Sequence, residues 1–286
     1  MSLGRTERTL LFAVGGMFAA VVVMAVRAPR PRPKPAAPSG DSVVEQGAAD
    51  PVAEPLPFLR TPTKPIGGTR DLAMGLEASA NAAPVVDTAD VRARLAGGAD
   101  GTYILPMLAD GDWFLSRWPD RRADGLRVWV RSASDLEGWT PAYTQMARDV
   151  FDQWGSSRSP LRFVYVLDSA SAEVTVTWID RFPAEAGLQI GNTTRIRDRY
   201  GWMVSASIQV AMHDPRGRVF TPSELIGIVR HEAGHALGLG HSPDTTSMMY
   251  PEERVHDITA QDMQTLRLLY TLPPGSMRDV VAPSAP

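Results

Sequence analysis

The stretch TPSELIGIVRHEAGHALGLGH, residues 221–241, constrains this chain more than any other, because it fixes where one helix begins and where it must stop. Thr221 and Glu224 have the spacing of a capping box, and Pro222 stands at the first helical position, where its missing N–H is no loss. Gly238 tolerates the left-handed conformation that ends a helix, so the predicted helix runs from Pro222 to about Gly238. Within it His231 and His235 lie four apart, on one face and about one turn from each other. Both imidazoles can therefore reach one ion at roughly 2.0 to 2.1 Å. Beyond the break the chain can turn back and bring in His241, so three of the five histidines serve one site. Glu232 is rotated aside, where it can approach a water held by the ion without being a ligand. Three protein ligands leave a fourth position open, which separates a catalytic zinc from a closed structural one.

Bulk properties narrow the remaining choices. With 286 residues and 44% apolar content, the chain can fill one sizeable core or two small ones. There is no cysteine, so disulfides, thiolate metal sites and thiol catalysis are excluded, and any metal must be held by His, Asp or Glu. The formal charge is −3 and the arginines are scattered, which is not the electrostatic footprint of a nucleic-acid binder.

Residues 1–9 form a short basic segment, and LLFAVGGMFAAVVVMAV, Leu10 to Val26, is an uncharged apolar run flanked by arginines on both sides. As a helix it covers roughly 25 Å, within the tolerated range for crossing a bilayer. Two readings stand, an uncleaved transmembrane anchor and a cleaved signal sequence; the best small-x-small cleavage candidate would leave Pro29 just after the cut, which favours the anchor. Arg27, Arg30, Arg32 and Lys34 would hold the following chain in the cytoplasm on a strict charge count. A single N-terminal apolar segment before a large domain is more often an export signal, so the expected placement of the domain is extracytoplasmic, membrane-anchored or secreted. Residues 27–68 are rich in Pro and Ala and read as a tether. Residues 69–110 hold one predicted helix, DTADVRARLAGG, capped by Asp87 or Thr88 and closed by Gly97.

A compact domain is expected over residues 111–272. LRVWV (126–130), LRFVYVL (161–167), VTVTWI (174–179) and SASIQVAM (205–212) have strand character. Tyr143, Met146, Ala147, Val150, Phe151 and Trp154 recur at helical spacing after Thr140 as N-cap and Pro141. A last helix is capped by Thr259 with Asp262 three residues on and runs to Tyr270; residues 273–286 form a tail. The order of elements predicts a mixed sheet with helices packed on it.

HEAGHALGLGH matches the metzincin signature of zinc endopeptidases at His231, Glu232, His235, Gly238 and His241, and the following HSPDTTSMMYP resembles the matrixin branch. The resemblance implies an α+β, zincin-like domain: a twisted mixed sheet with an active-site helix, a packing helix and a C-terminal helix. It also implies one catalytic Zn2+ on His231, His235 and His241, with Glu232 as general base. Met249 would lie in the tight turn beneath the metal, supporting the site through packing rather than ligation. The implied partner is a protein or peptide substrate, with a membrane engaged through the N-terminal segment and no nucleic acid.

The chain departs from the matrixin pattern in three ways. IDRFPAEAGLQIGNTTRIRDRYGW and AMHDPRGRVF lack the histidines and carboxylates of a second zinc and of calcium sites, so calcium is not predicted. Cysteine-based latency is impossible. Pro251-Glu252-Glu253 replaces the family's Pro-x-Tyr wall, so pocket specificity is not inferred. His213 is expected in a turn and His256 on an exposed flank. A metzincin scaffold without activity, docking a partner beside the membrane, is the alternative from another class; the intact His231, Glu232, His235 and His241 weigh against it.

Overall fold

The computed structural model describes residues 67–73, 81–156, 159–252 and 257–281. The apolar run 10–26, the tether up to residue 66 and His256 lie outside them. Among the described residues, no helix is long and apolar enough to cross a membrane.

In chain order the elements are β1 (Gly67–Ala73), α1 (Thr88–Gly98), α2 (Ile104–Asp110), β2 (Phe114–Leu115), β3 (Arg121–Val130), α3 (Ala142–Trp154), β4 (Leu161–Tyr165), β5 (Val174–Ile179), β6 (Gly191–Arg197), β7 (Met203–Ala211), α4 (Pro222–Ala236), α5 (Ala260–Thr271), β8 (Gly275–Ser276) and α6 (Arg278–Val281). The main sheet is mixed, as expected, with the order β1-β6-β7-β5-β3-β4. β4, β3, β5 and β7 are parallel; β6 runs antiparallel to β7, and β1 lies parallel to β6. β2 and β8 pair separately.

Four strands were legible and are found, with shifted ends: β3 starts at Arg121, β4 stops at Tyr165, and β7 covers Met203–Ala211. β1 and β6 were not. Gly67 and Gly68 belong to β1 rather than to the tether, and β6 lies in the stretch read as loop. In β6, GNTTRIR buries Gly191, Thr193 and Arg195 while Asn192 and Thr194 face away, so its alternation is polar on both faces and hydrophobic periodicity is blind to it.

α3 starts one residue later than its sequence suggests. Pro141 occupies the cap position without a side-chain bond, and the carbonyls of Thr140 and Pro141 accept from Tyr143 and Thr144 instead. Its apolar face buries Ala147, Val150, Phe151 and Trp154, each worth very roughly 1.5 to 3 kcal/mol for the larger side chains. Trp154 Nε1 donates to Arg230 O at 3.1 Å, tying α3 to α4. α1 is capped by the Asp87 carboxylate, and Gly97 lies inside the helix, which closes at Ala99.

The core extends past 111–272 at both ends. Val91, Leu95, Ile104 and Leu108 on one side and Met277 and Val280 on the other are buried in it. Arg92 Nε donates to Val280 O at 2.6 Å, joining the two flanks, and Arg94 Nη1 donates to Thr271 O at 2.6 Å, tying α1 to the end of α5. His213 stands at the base of a turn, as expected, bridging to Val219 across it; it is buried there, and its Nδ1 lies 2.8 Å from Asp180 Oδ1.

The start of α4 is as its sequence demands. Thr221 Oγ1 accepts from Glu224 N, Glu224 Oε2 accepts from Thr221 N at 2.7 Å, and Arg218 holds the Glu224 carboxylate at 2.8 Å. Arg218's hydrogen bond is the main reason that the Glu224 carboxyl falls from 4.5 to about 2. A carboxyl lowered on folding stabilises above its unfolded value and loses that contribution as pH falls through the folded one. Glu224→Gln is therefore expected to lower the urea midpoint at pH 7, with the gap to wild type closing between pH 4.5 and about 2.

Candidate metal centre

The active face of α4 is set by how the helix ends. Leu237 is the C-cap, and Gly238 follows at φ +106°, a conformation that a side chain would strain. Leu239 N bonds Gly234 O at 3.0 Å and Gly238 N bonds His235 O at 2.9 Å, the paired bonds of a Schellman motif. Side chains complete the terminus: Trp118 Nε1 donates to Ala236 O at 2.8 Å and Tyr270 OH to Leu237 O at 2.9 Å. Arg195 Nη1 donates to His235 O at 3.2 Å and to Leu239 O at 3.4 Å.

That reversal brings His241 back. One ring nitrogen each from His231, His235 and His241 fall within 4.8 Å of one another. His231 Nδ1 lies 2.9 Å from Met248 O, and His235 Nδ1 lies 2.9 Å from Leu239 O. A carbonyl only accepts, so both Nδ1 atoms carry the proton and both Nε2 atoms keep their lone pairs. These two Nε2 atoms stand 3.1 Å apart, close to the roughly 3.3 Å that two tetrahedral ligands at 2.0 to 2.1 Å require. His241 Nε2 is buried with no hydrogen-bond partner among the described residues. Burial pushes the His231 imidazole below its usual value, His235 well below, and His241 down to about 3, so all three are neutral donors. Three imidazole nitrogens, two of them on rings whose second nitrogen is already engaged, fit Zn2+.

Glu232 is buried beside this set. The Thr193 hydroxyl, 2.6 Å from Glu232 Oε2 and 3.0 Å from Glu232 O, is the group on β6 that holds it. Burial pushes the Glu232 carboxyl up to about 8, against the pull of that hydrogen bond. Met249 is fully buried, and its sulfur packs on α4 at Gly234, where a Cβ would collide with it. The turn carrying it is held by Asp262, whose Oδ2 accepts from Met248 N at 3.0 Å and from Thr259 N at 2.9 Å. One buried carboxylate thus serves both the α5 capping box and the Met248-Met249 turn.

His231, Glu232, His235, His241 and Met249 are therefore gathered in one place, whereas His213 stands apart on Asp180. Sequence reading missed Thr193 and Arg195, which sit on the unrecognised β6, and the double use of Asp262. The β-branched pair Thr193-Thr194 flanked by Ile190 and Ile196 was the signal for that strand.

The three histidines, on and just beyond a helix with a methionine packed against it, form a group that could hold one metal ion. Residues 132–271 match the peptidase M10 family model, Matrixin, so that this stretch is a matrixin-like domain of α+β fold. The chain is 28% identical over 133 residues to Metalloendoproteinase 1-MMP of Arabidopsis thaliana, an alignment that covers 43% of this chain and 36% of that relative.

Gly238→Ala should destabilise the domain by about 1 to 3 kcal/mol, because φ is strained for an L residue. Its Cβ would also stand 2.9 Å from Ser116 O and 3.0 Å from Leu269 Cδ2. Thermal unfolding and zinc content by elemental analysis should fall together; a variant with unchanged zinc content would show that the helix exit does not set His241.

Proposed function

We propose that this protein is a zinc-dependent endopeptidase that hydrolyses peptide bonds in proteins, with His231, His235 and His241 as ligands and Glu232 as general base. The observation that carries the proposal is the convergence of three neutral imidazoles on one point with a buried carboxyl alongside. Bound zinc would supply Lewis acidity toward the scissile carbonyl and lower the pKa of a water. The chain's own residues do the rest. Beside a bound dication the Glu232 carboxyl, pushed up by burial alone, would be drawn back to its ionised form; as a carboxylate it accepts the proton of the attacking water and returns it to the leaving amine. Thr193 orients Oε2 from the strand side, so the carboxylate does not have to be immobilised when the peptide arrives. The Met248 and Leu239 carbonyls hold two rings in the ligating tautomer.

The family match supports peptide-bond chemistry, and Pro251-Glu252-Glu253, standing in place of the Pro-x-Tyr wall, leaves the side-chain preference to this chain. The membrane tether through Leu10–Val26 and an extracytoplasmic domain are part of the same proposal, supported by the apolar run and its flanking arginines.

Four outcomes are expected. Chelator-sensitive cleavage of an unbiased peptide library should be seen with the intact chain and be restored by zinc; a chain that binds zinc yet cuts nothing would favour a docking scaffold. Glu232→Ala should keep the zinc content of wild type while turnover drops by a factor of about 100 or more, in line with loss of a general base. His241→Ala should weaken zinc retention on dialysis, and equal retention would remove His241 from the ligand set. Protease treatment of intact cells should remove the domain, and full protection would place it inside.

A further inference from the structure

Beside His235 and His241 lies a cavity of about 410 Å³ that the proposed chemistry does not use, lined by Met107, Phe114, Gly240, Arg195 and Asp71. Two of these are joined. Arg195 is 9% exposed, and its Nη1 is spent on the His235 and Leu239 carbonyls. Its remaining edge, Nε and Nη2, is met by both oxygens of Asp71, at 2.6 and 2.9 Å. This is the side-by-side geometry by which a guanidinium recognises a carboxylate.

Asp71 comes from β1, which lies along the outer edge of β6 in register from Gly67 opposite Gly191 to Ala73 opposite Arg197. β6 is the strand that carries Thr193 to Glu232, so its edge is where an extended peptide adding by main-chain hydrogen bonds would pass the metal centre. β1 holds that edge as such a peptide would, with its acidic side chain in the cavity. When β1 leaves, a buried guanidinium faces the cleft with two unmet donors, beside three histidines that would be carrying a dication. Leaving such a charge without an anion is costly.

We propose that Arg195 is a specificity-determining residue: the cleft selects extended peptides that carry an acidic side chain on the His241 side of the cut, and β1 with Asp71 is the chain's own stand-in for that strand. The proposal rests on the endopeptidase reading for its purpose, and its test is a binding measurement, so the two can fail separately. Substrate must displace β1, and a peptide without a carboxylate would do so while leaving Arg195 unmatched.

The probe is a fluorescent heptapeptide with the sequence of residues 67–73, GGTRDLA, and its Asp→Asn analogue, titrated by anisotropy against the zinc-loaded full chain carrying Asp71→Asn and Glu232→Ala. Asp71→Asn weakens the internal competitor and Glu232→Ala prevents cutting of the probe. The acidic peptide is expected to bind about tenfold tighter than its analogue, the size of one charge-assisted bidentate pair. The preference should vanish with Arg195→Met added and be partly kept with Arg195→Lys. With Asp71 restored, both peptides should bind more weakly. Equal binding of the two peptides overturns the proposal, as does a preference that survives Arg195→Met in a chain with normal zinc content, or no binding of either peptide. Should Arg195→Met not fold, a preference kept in Arg195→Lys and erased by high salt supports the pairing, and one insensitive to salt overturns it.

Discussion

A helix that stops abruptly leaves its last carbonyls without partners, and in this domain nearly everything near the three histidines is arranged around satisfying them. The end of α4 draws Trp118 from the segment before β3, Arg195 from β6 and Tyr270 from α5 onto Ala236, His235, Leu239 and Leu237. The two turn bonds at Gly238 and Leu239 complete the set. Sheet, closing helix and helix terminus therefore meet at the point where the chain reverses toward His241. The reversal is paid for locally by hydrogen bonds, and it gives three imidazoles a common target.

The floor of the site follows the same economy of partners. Asp262 begins α5 as half of a capping box, and the same carboxylate holds Met248 N in the turn that places Met249 under α4. Gly234 leaves the room that the methionine sulfur fills. The C-terminal helix thus cannot dock in one place while the turn sits in another.

How much of this was legible depends on where the determinants lie in the chain. The start of α4 was readable because Thr221, Pro222 and Glu224 are neighbours, and its end because Gly238 is a single residue with one backbone role. The histidine spacing was readable because helical geometry converts a separation of four into a shared face. Thr193, Arg195 and Asp71 were not, because their roles arise from strand pairing across distant segments, and β6 has no hydrophobic alternation to announce it. The place of the flanks was not legible for a related reason: α2 carries Pro106 within a seven-residue helix, too short for periodicity, and it packs against α5, while α1 packs against α5 and α6, from the far end of the chain. The Pro141 cap failed because a proline at the boundary serves as readily just outside a helix as at its first position.

Two of the three rings are aimed by main-chain oxygen, Met248 O for His231 and Leu239 O for His235. Where a carboxylate side chain orients a ligand, one substitution can delete it. A peptide carbonyl is present whatever residue stands there, so ordinary amino-acid replacement at 239 or 248 leaves the orienting group in place. What can move it is the path of the chain. Insertions and deletions in the two loops, rather than exchanges of side chains, are then the changes by which such a centre would drift in metal affinity, and the loop lengths are the quantity that descent must keep constant.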